Sequence, residues 1–178
     1  MTKKIDEIRK MKSIDEKVSA ILSDFVAKDQ YPVDVESVCE KCGIRVEERD
    51  FKSVENALKD DIPDIYIFGV LHRNNKKIQY NVYAKEKAKR FIIAHELAHY
   101  FCDEDAKAIN ISFMAYGVYE PRKYDIFASK LLMPDDKFKE KYNSTLYPTV
   151  SQFSDFFGVP KENVMQKFEE LELEYIDI

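Results

Sequence analysis

The stretch Arg90-Phe-Ile-Ile-Ala-His-Glu-Leu-Ala-His99 lies inside the strongest helical pattern of the chain, residues 85 to 102, which contains no Gly or Pro. Positions four residues apart lie on one face of a helix. His95 and His99 can therefore present two imidazoles to one metal ion, and Glu96 stays available to accept a proton from water. The spacing predicts a Zn²⁺ site on this helix, with Glu96 as the catalytic base.

The alternative is a chance pair of histidines on an amphipathic helix. The chain has only 3 histidines, and two of them have the ligand spacing with Glu in the one useful position, which favours the metal site. A catalytic zinc site needs a third protein ligand. Glu120 and Asp125 are the main candidates, and His72, in a predicted strand, is a weaker one. The acidic run 103–105 follows too closely and is interpreted as a solvated helix end.

Composition excludes several other classes of protein. The chain has 178 residues, a net charge of −5 and only 4 glycines, so neither a phosphate-binding glycine loop nor a general nucleic-acid surface is expected. It has no run of 18 apolar residues to span a membrane and no apolar signal segment, so we expect a cytoplasmic protein. Cys39, Cys42 and Cys102 are interpreted as structural thiols, because no second pair completes a zinc site.

Periodicity and turn residues predict an α+β fold with a small, mostly antiparallel sheet. We expect two parts, a main domain over residues 1–148 and a C-terminal tail over 149–178 that packs on it. The predicted elements are a helical stretch over 4–28, a short helix capped by Asp34 and ended at Gly43, a strand over 44–51, a hairpin of 65–72 and 77–83 turning at Arg73-Asn-Asn-Lys76, a helix over 121–133, a short helix capped by Asp135, and two tail helices over 149–171.

Two long stretches together resemble the ImmA/IrrE family of bacterial and phage metallopeptidases. They are Arg90-Phe-Ile-Ile-Ala-His-Glu-Leu-Ala-His99 and Asp125-Ile-Phe-Ala-Ser-Lys-Leu-Leu-Met-Pro134. Weaker similarity covers nearly the whole chain, including Phe157-Gly-Val-Pro-Lys-Glu-Asn-Val164. The resemblance implies a zincin-like minimal metallopeptidase fold of the gluzincin type. It also implies zinc ligands at His95 and His99 and a catalytic base at Glu96.

The resemblance further implies an endopeptidase that cleaves a protein substrate, a helix-turn-helix transcriptional repressor of a mobile element or a stress response. One position departs from the family pattern, because the usual third-ligand Glu falls on Pro121. Glu120, one residue earlier, is favoured as the third ligand over Asp125, which would then hydrogen-bond a ligand imidazole. If neither carboxylate reaches the metal, the chain is a degenerate member that regulates by binding the repressor.

Three further expectations concern substrate and partners. Tyr116 or Tyr119 could stabilise an oxyanion, although ordinary packing is favoured for any one of 11 tyrosines. The substrate is expected to add as a strand to a sheet edge at residues 78–83. The second tail helix, residues 161–173, is acidic, which favours packing or partner docking over DNA binding.

Overall fold

The computed structural model describes residues 2–103, 108–114 and 123–177. In this part of the chain, nine helices surround one four-stranded sheet, which confirms the α+β class. The helices are α1 (Thr2–Arg9), α2 (Ile14–Phe25), α3 (Val35–Lys41), α4 (Lys52–Leu58), α5 (Glu86–Cys102), α6 (Lys123–Leu132), α7 (Asp135–Asn143), α8 (Val150–Phe157) and α9 (Lys161–Glu170). The strands are β1 (Arg45–Arg49), β2 (Tyr66–His72), β3 (Lys77–Asn81) and β4 (Ile109–Met114). No helix within these ranges is long and apolar enough to cross a membrane.

The strands of the sheet have the order β1-β3-β2-β4. β2 and β3 form the predicted hairpin, β4 is antiparallel to β2, and β1 is parallel to β3. The prediction of a substrate-binding edge at residues 78–83 is wrong, because β3 is hydrogen-bonded on both sides. The outer strands of the described sheet are β1 and β4, and β4 was not predicted.

The N-terminal helical stretch is two helices rather than one. Ser13 forms a capping box with Glu16: its hydroxyl accepts a bond of 3.1 Å from the Glu16 amide, and its own amide donates a bond of 3.0 Å to the Glu16 carboxylate. These bonds start a new helix after α1 ends. The next helix, α3, begins after Asp34, whose side chain accepts from the Ser37 amide, and ends before Gly43 with φ 72°, as predicted.

The hairpin turns at residues 73–76 as predicted, and Lys76 has a positive φ of 45° there. The predicted cap of the following short helix is wrong. Asp135 is the first residue of α7, whose N-cap is Pro134, and its carboxylate binds the buried ammonium of Lys167 and that of Lys130. The helix α4 was also absent from the sequence interpretation.

Helix α5 lies at the centre of the protein. It packs on β2 and β3 on one side and on α6 and α3 on the other. Every residue from 93 to 101 is buried, so the second half of the helix is enclosed on all sides. The same core continues through the phenylalanines of α7, α8 and α9, and the division into parts 1–148 and 149–178 stays a prediction.

The cysteines of the described chain are free thiols. Cys39 and Cys42 are buried, as expected of structural residues, and burial raises the pKa of Cys42 to about 11. A thiol that resists ionisation is a poor nucleophile and metal ligand. These residues therefore serve packing.

Candidate metal centre

The three motif side chains lie together in the buried second half of α5. The exposed fractions are 9 % for His95, 5 % for His99 and zero for Glu96. The imidazole centroids of the two histidines are 5.2 Å apart, as expected for rings one helical turn apart on the same face.

A carboxylate contacts the Nδ1 atom of each imidazole. Asp125 Oδ1 lies 2.8 Å from Nδ1 of His95, and Asp103 Oδ2 lies 3.1 Å from Nδ1 of His99. A carboxylate in this position favours the tautomer with the proton on Nδ1, so that Nε2 is the nitrogen that would bind a metal ion. Both rings therefore have the hydrogen-bond pattern of metal-binding histidines.

The prediction that Asp103 belongs to a solvated helix end is wrong. Its side chain is only 13 % exposed, and its second oxygen accepts bonds from the Tyr124 hydroxyl (2.8 Å) and the Lys123 ammonium (3.1 Å). Burial alone would raise the pKa of Asp103. The hydrogen bonds from His99, Tyr124 and Lys123 lower the pKa by more than burial raises it, so the net pKa lies below its usual range. The i,i+4 spacing of His99 and Asp103 was a local signal for this contact.

Two further residues fix the His99 end of the helix. The Tyr124 ring lies against the imidazole, with centroids 3.6 Å apart and planes at 31°. The Arg73 guanidinium donates bonds to the carbonyl oxygens of His99 (2.7 Å) and Tyr100 (3.1 Å). A cation on the last carbonyls stabilises a helix C-terminus and offsets the acidic residue there.

Glu96 packs against the backbone of β2 at Gly69. A Cβ atom at this glycine would lie 2.7 Å from Oε1 of Glu96 and 2.9 Å from a methyl group of Ile92, which is closer than atoms pack. The Glu96 carboxylate therefore fits in this position because residue 69 has no side chain. On the neighbouring strand β4, the buried Ser112 places its hydroxyl 3.5 Å from Nε2 of His99.

A cleft of about 450 Å³ opens beside the motif. His95, Glu96, Ser112 and Asp125 form its polar side. The apolar residues of its walls include Phe68, Ala88, Phe91, Ile92, Met114 and Pro160. The outer strand β4 borders this cleft, whereas β3 does not contribute to it.

The predicted third ligand, Glu120, lies outside the described residues, as do Tyr116 and Tyr119. Asp125 contacts Nδ1 of His95. His72 lies on the sheet, with Nε2 2.8 Å from a side-chain oxygen of Gln79. In ranges 2–103, 108–114 and 123–177, no three or more His, Cys, Asp or Glu side chains are grouped to hold a metal. The choice of Glu120 stays a prediction.

The family model of the IrrE N-terminal-like domain of the M78 peptidases matches residues 39–169. The matched region runs from α3 to α9 and contains the whole sheet, the motif helix α5 and its neighbour α6. No curated protein matches the chain significantly. Because the match covers well over half of the chain and includes the motif, it supports a function of the metallopeptidase type. The chain belongs to the ImmA/IrrE family of peptidases.

Proposed function

We propose that the chain is a zinc-dependent endopeptidase, in which His95 and His99 bind the metal, Glu120 completes the ligand set and Glu96 is the catalytic base. The observation that carries the proposal is the pair of imidazoles one turn apart, each with a carboxylate on Nδ1, beside a buried glutamate at the end of a cleft.

The residues present fit zinc. Two neutral imidazoles suit this metal, and carboxylate partners on Nδ1 are its usual outer support. Since Asp125 occupies the Nδ1 side of His95, it is placed to orient that ligand, which favours Glu120 as the third. A bound Zn²⁺ would supply Lewis acidity, which polarises a peptide carbonyl and lowers the pKa of a water molecule.

Glu96 performs the proton transfers. Its carboxylate accepts a proton from the attacking water and delivers it to the nitrogen of the leaving amine. The Glu96 side chain packs closely against the backbone at Gly69 beside the cleft, so little reorganisation is needed during reaction. A substrate packed against the apolar walls would exclude water from the cleft, which would strengthen the electrostatic interactions of these groups.

The substrate would bind along β4 as an extended peptide. This strand is an outer strand of the described sheet, and Ser112 and Met114 at its end line the cleft. Backbone pairing with an outer strand satisfies the polar groups of an extended chain. We propose that the peptide belongs to a cytoplasmic protein, a helix-turn-helix repressor of a mobile element or a stress response.

The test measures metal content and cleavage on the full-length, zinc-loaded protein. Wild type should retain zinc and cut peptides in a proteome-derived library, and it should cut a candidate repressor. Glu96→Gln should retain zinc and lose cleavage about 10²- to 10⁴-fold, the usual contribution of a general base. Glu86→Gln, at an exposed position of the same helix, is the matched control and should cut normally.

The alternative is a degenerate family member that binds a repressor without cutting it. It is favoured by one observation, that the described residues alone do not supply three metal ligands. Protein without zinc after loading, or repressor binding by wild type without cleavage, would decide for this alternative. Retardation of DNA at physiological salt would instead revive a DNA-binding role for the tail.

A further inference from the structure

We infer that the cleft beside Glu96 selects substrates by one large apolar side chain next to the scissile bond, an inference that rests on the proposed peptidase function. The cleft holds about 450 Å³, within the range of ligand pockets and large enough for a Phe, Leu or Met side chain. Because Glu96 and His95 line it, a side chain bound there belongs to a residue adjacent to the bond being cut.

The apolar walls of the cleft come from three elements and the turn before α9. Phe68 lies on β2, Phe91 on α5 and Met114 on β4, and Pro160 precedes α9. Elements distant in sequence thus contribute large apolar side chains to the cleft that Glu96 also lines. Burying a large apolar side chain in such a site favours binding about 10- to 100-fold over leaving it in water.

The polar groups of the cleft discriminate against charged side chains. Its ionisable lining residues are His95, Glu96 and Asp125, and no Lys or Arg is among the described residues that line it. An acidic substrate side chain would lose its hydration without a basic partner and would face two carboxylates. We therefore expect acidic residues to be the least tolerated there.

The C-terminal tail contributes a wall that is fastened to the motif helix. Arg90 of α5 donates a bond of 3.0 Å to the carbonyl oxygen of Gly158 and a second bond to that of Val33. Lys87, one turn earlier, pairs with Asp155 of α8 at 2.5 Å. The bonds to Gly158 and Asp155 hold the turn before α9 in place, so that Pro160 borders the cleft. The tail thereby shapes the substrate site.

The test uses synthetic peptides that differ only in one residue flanking a bond that the zinc-loaded protein cuts in the library. With Phe or Leu at that residue, kcat/KM should be about 10- to 100-fold higher than with Ala, and Asp should give the lowest value. Equal kcat/KM for Phe, Ala and Asp peptides on both sides of the bond would overturn the inference while the peptidase function stands. Cleavage of no peptide by zinc-loaded wild type would overturn both.

A variant that changes the cleft volume distinguishes substrate selection by the cleft from a general effect on folding. Ala88→Phe fills the cleft from a half-buried helix position and should abolish the preference for Phe over Ala, while the Ala peptide is still cut. Glu86→Phe introduces the same side chain at an exposed position of α5 outside the cleft and should keep the wild-type preference. Proportional loss on all peptides with Ala88→Phe would contradict the inference.

A second variant covers the case in which Ala88→Phe does not fold. Phe91→Ala enlarges the cleft and should lower the preference for Phe over Ala several-fold. An unchanged preference in folded Phe91→Ala protein, measured with the same peptides, would equally overturn the inference.

Discussion

The two metal-ligand candidates lie one helical turn apart, yet the protein surrounds them differently. Around His99, Asp103 is 13 % exposed and also accepts bonds from Tyr124 and Lys123. Around His95, the partner carboxylate of Asp125 is 54 % exposed, and the imidazole lines the cleft.

The difference shows that one helix can hold one metal-ligand candidate firmly and expose the other to the cleft. The His99 side is held by packed rings and several charged hydrogen bonds, so its geometry is fixed before any ligand arrives. The His95 side, together with Glu96, faces the space where the substrate would bind. Changes on the two sides should therefore produce different losses, in metal binding on one side and in turnover on the other.

Gly69→Ala tests the open side and should have the largest effect. The added methyl group would meet Oε1 of Glu96 at 2.7 Å, so the carboxylate must move, and a displacement of about 1 Å can cost about 100-fold in rate. We expect kcat/KM to fall by about that factor while the zinc content stays normal. Val70→Ala, whose side chain packs with Phe51 and Ile67 away from α5, is the control and should keep its kcat/KM.

Asp103→Ala tests the supported side. Removing the carboxylate frees the His99 ring to turn and leaves the donors of Tyr124 and Lys123 without their acceptor. Zinc affinity should fall about 10- to 100-fold, and the free energy of unfolding should fall by about 1–3 kcal/mol. Competition with a chelator and denaturant titration measure the two quantities. Unchanged zinc affinity would show that His99 needs no such support.

Asp125→Ala is the matched change on the open side and should be milder. Because this carboxylate is half exposed, we expect at most about a tenfold loss of zinc affinity, with the free energy of unfolding within about 0.5 kcal/mol of wild type. A loss of zinc as complete as that of His95→Ala would instead identify Asp125 as the third ligand in place of Glu120.

Tyr124→Phe should have the smallest effect on zinc affinity. It keeps the ring against His99 and removes only the hydroxyl bond of 2.8 Å to Asp103. The free energy of unfolding should fall by about 0.5–1.5 kcal/mol, the usual value of one hydrogen bond. Zinc affinity should change less than in Asp103→Ala, and an equal loss would mean that the hydroxyl, rather than the carboxylate, governs the ring.

The elements that were predicted correctly are those marked by capping residues or by alternation within a short stretch of sequence. Asp34 and Gly43 marked the ends of α3, and the alternation of residues 65–72 and 77–83 gave the hairpin. In β4, Ile109, Ile111 and Phe113 also alternate with polar residues, a pattern that the interpretation overlooked. Strand order was beyond reach, because the position of β3 inside the sheet depends on its parallel partner β1, far away in sequence.

The candidate site likewise contains features that sequence spacing predicts and features that it does not. The spacing of His95, Glu96 and His99 indicated one helical face, and the structure brings these side chains together. The clearance that Gly69 provides and the bonds from Arg73 are contacts across the fold, with no signal in neighbouring residues. The i,i+4 spacing of His99 and Asp103 was also a local signal. It was overlooked because Asp103 was interpreted as part of a solvated helix end.

The hydrogen bonds at Asp103 also bear on synthesis of the protein. A nascent chain that has not yet reached residue 123 contains the paired imidazoles but has neither the phenol nor the ammonium that anchors the carboxylate behind them. A metal ion bound at that stage would be held by a His99 ring whose partner Asp103 is not yet anchored. The support of His99 through Asp103 would therefore be complete only after α6 has left the ribosome.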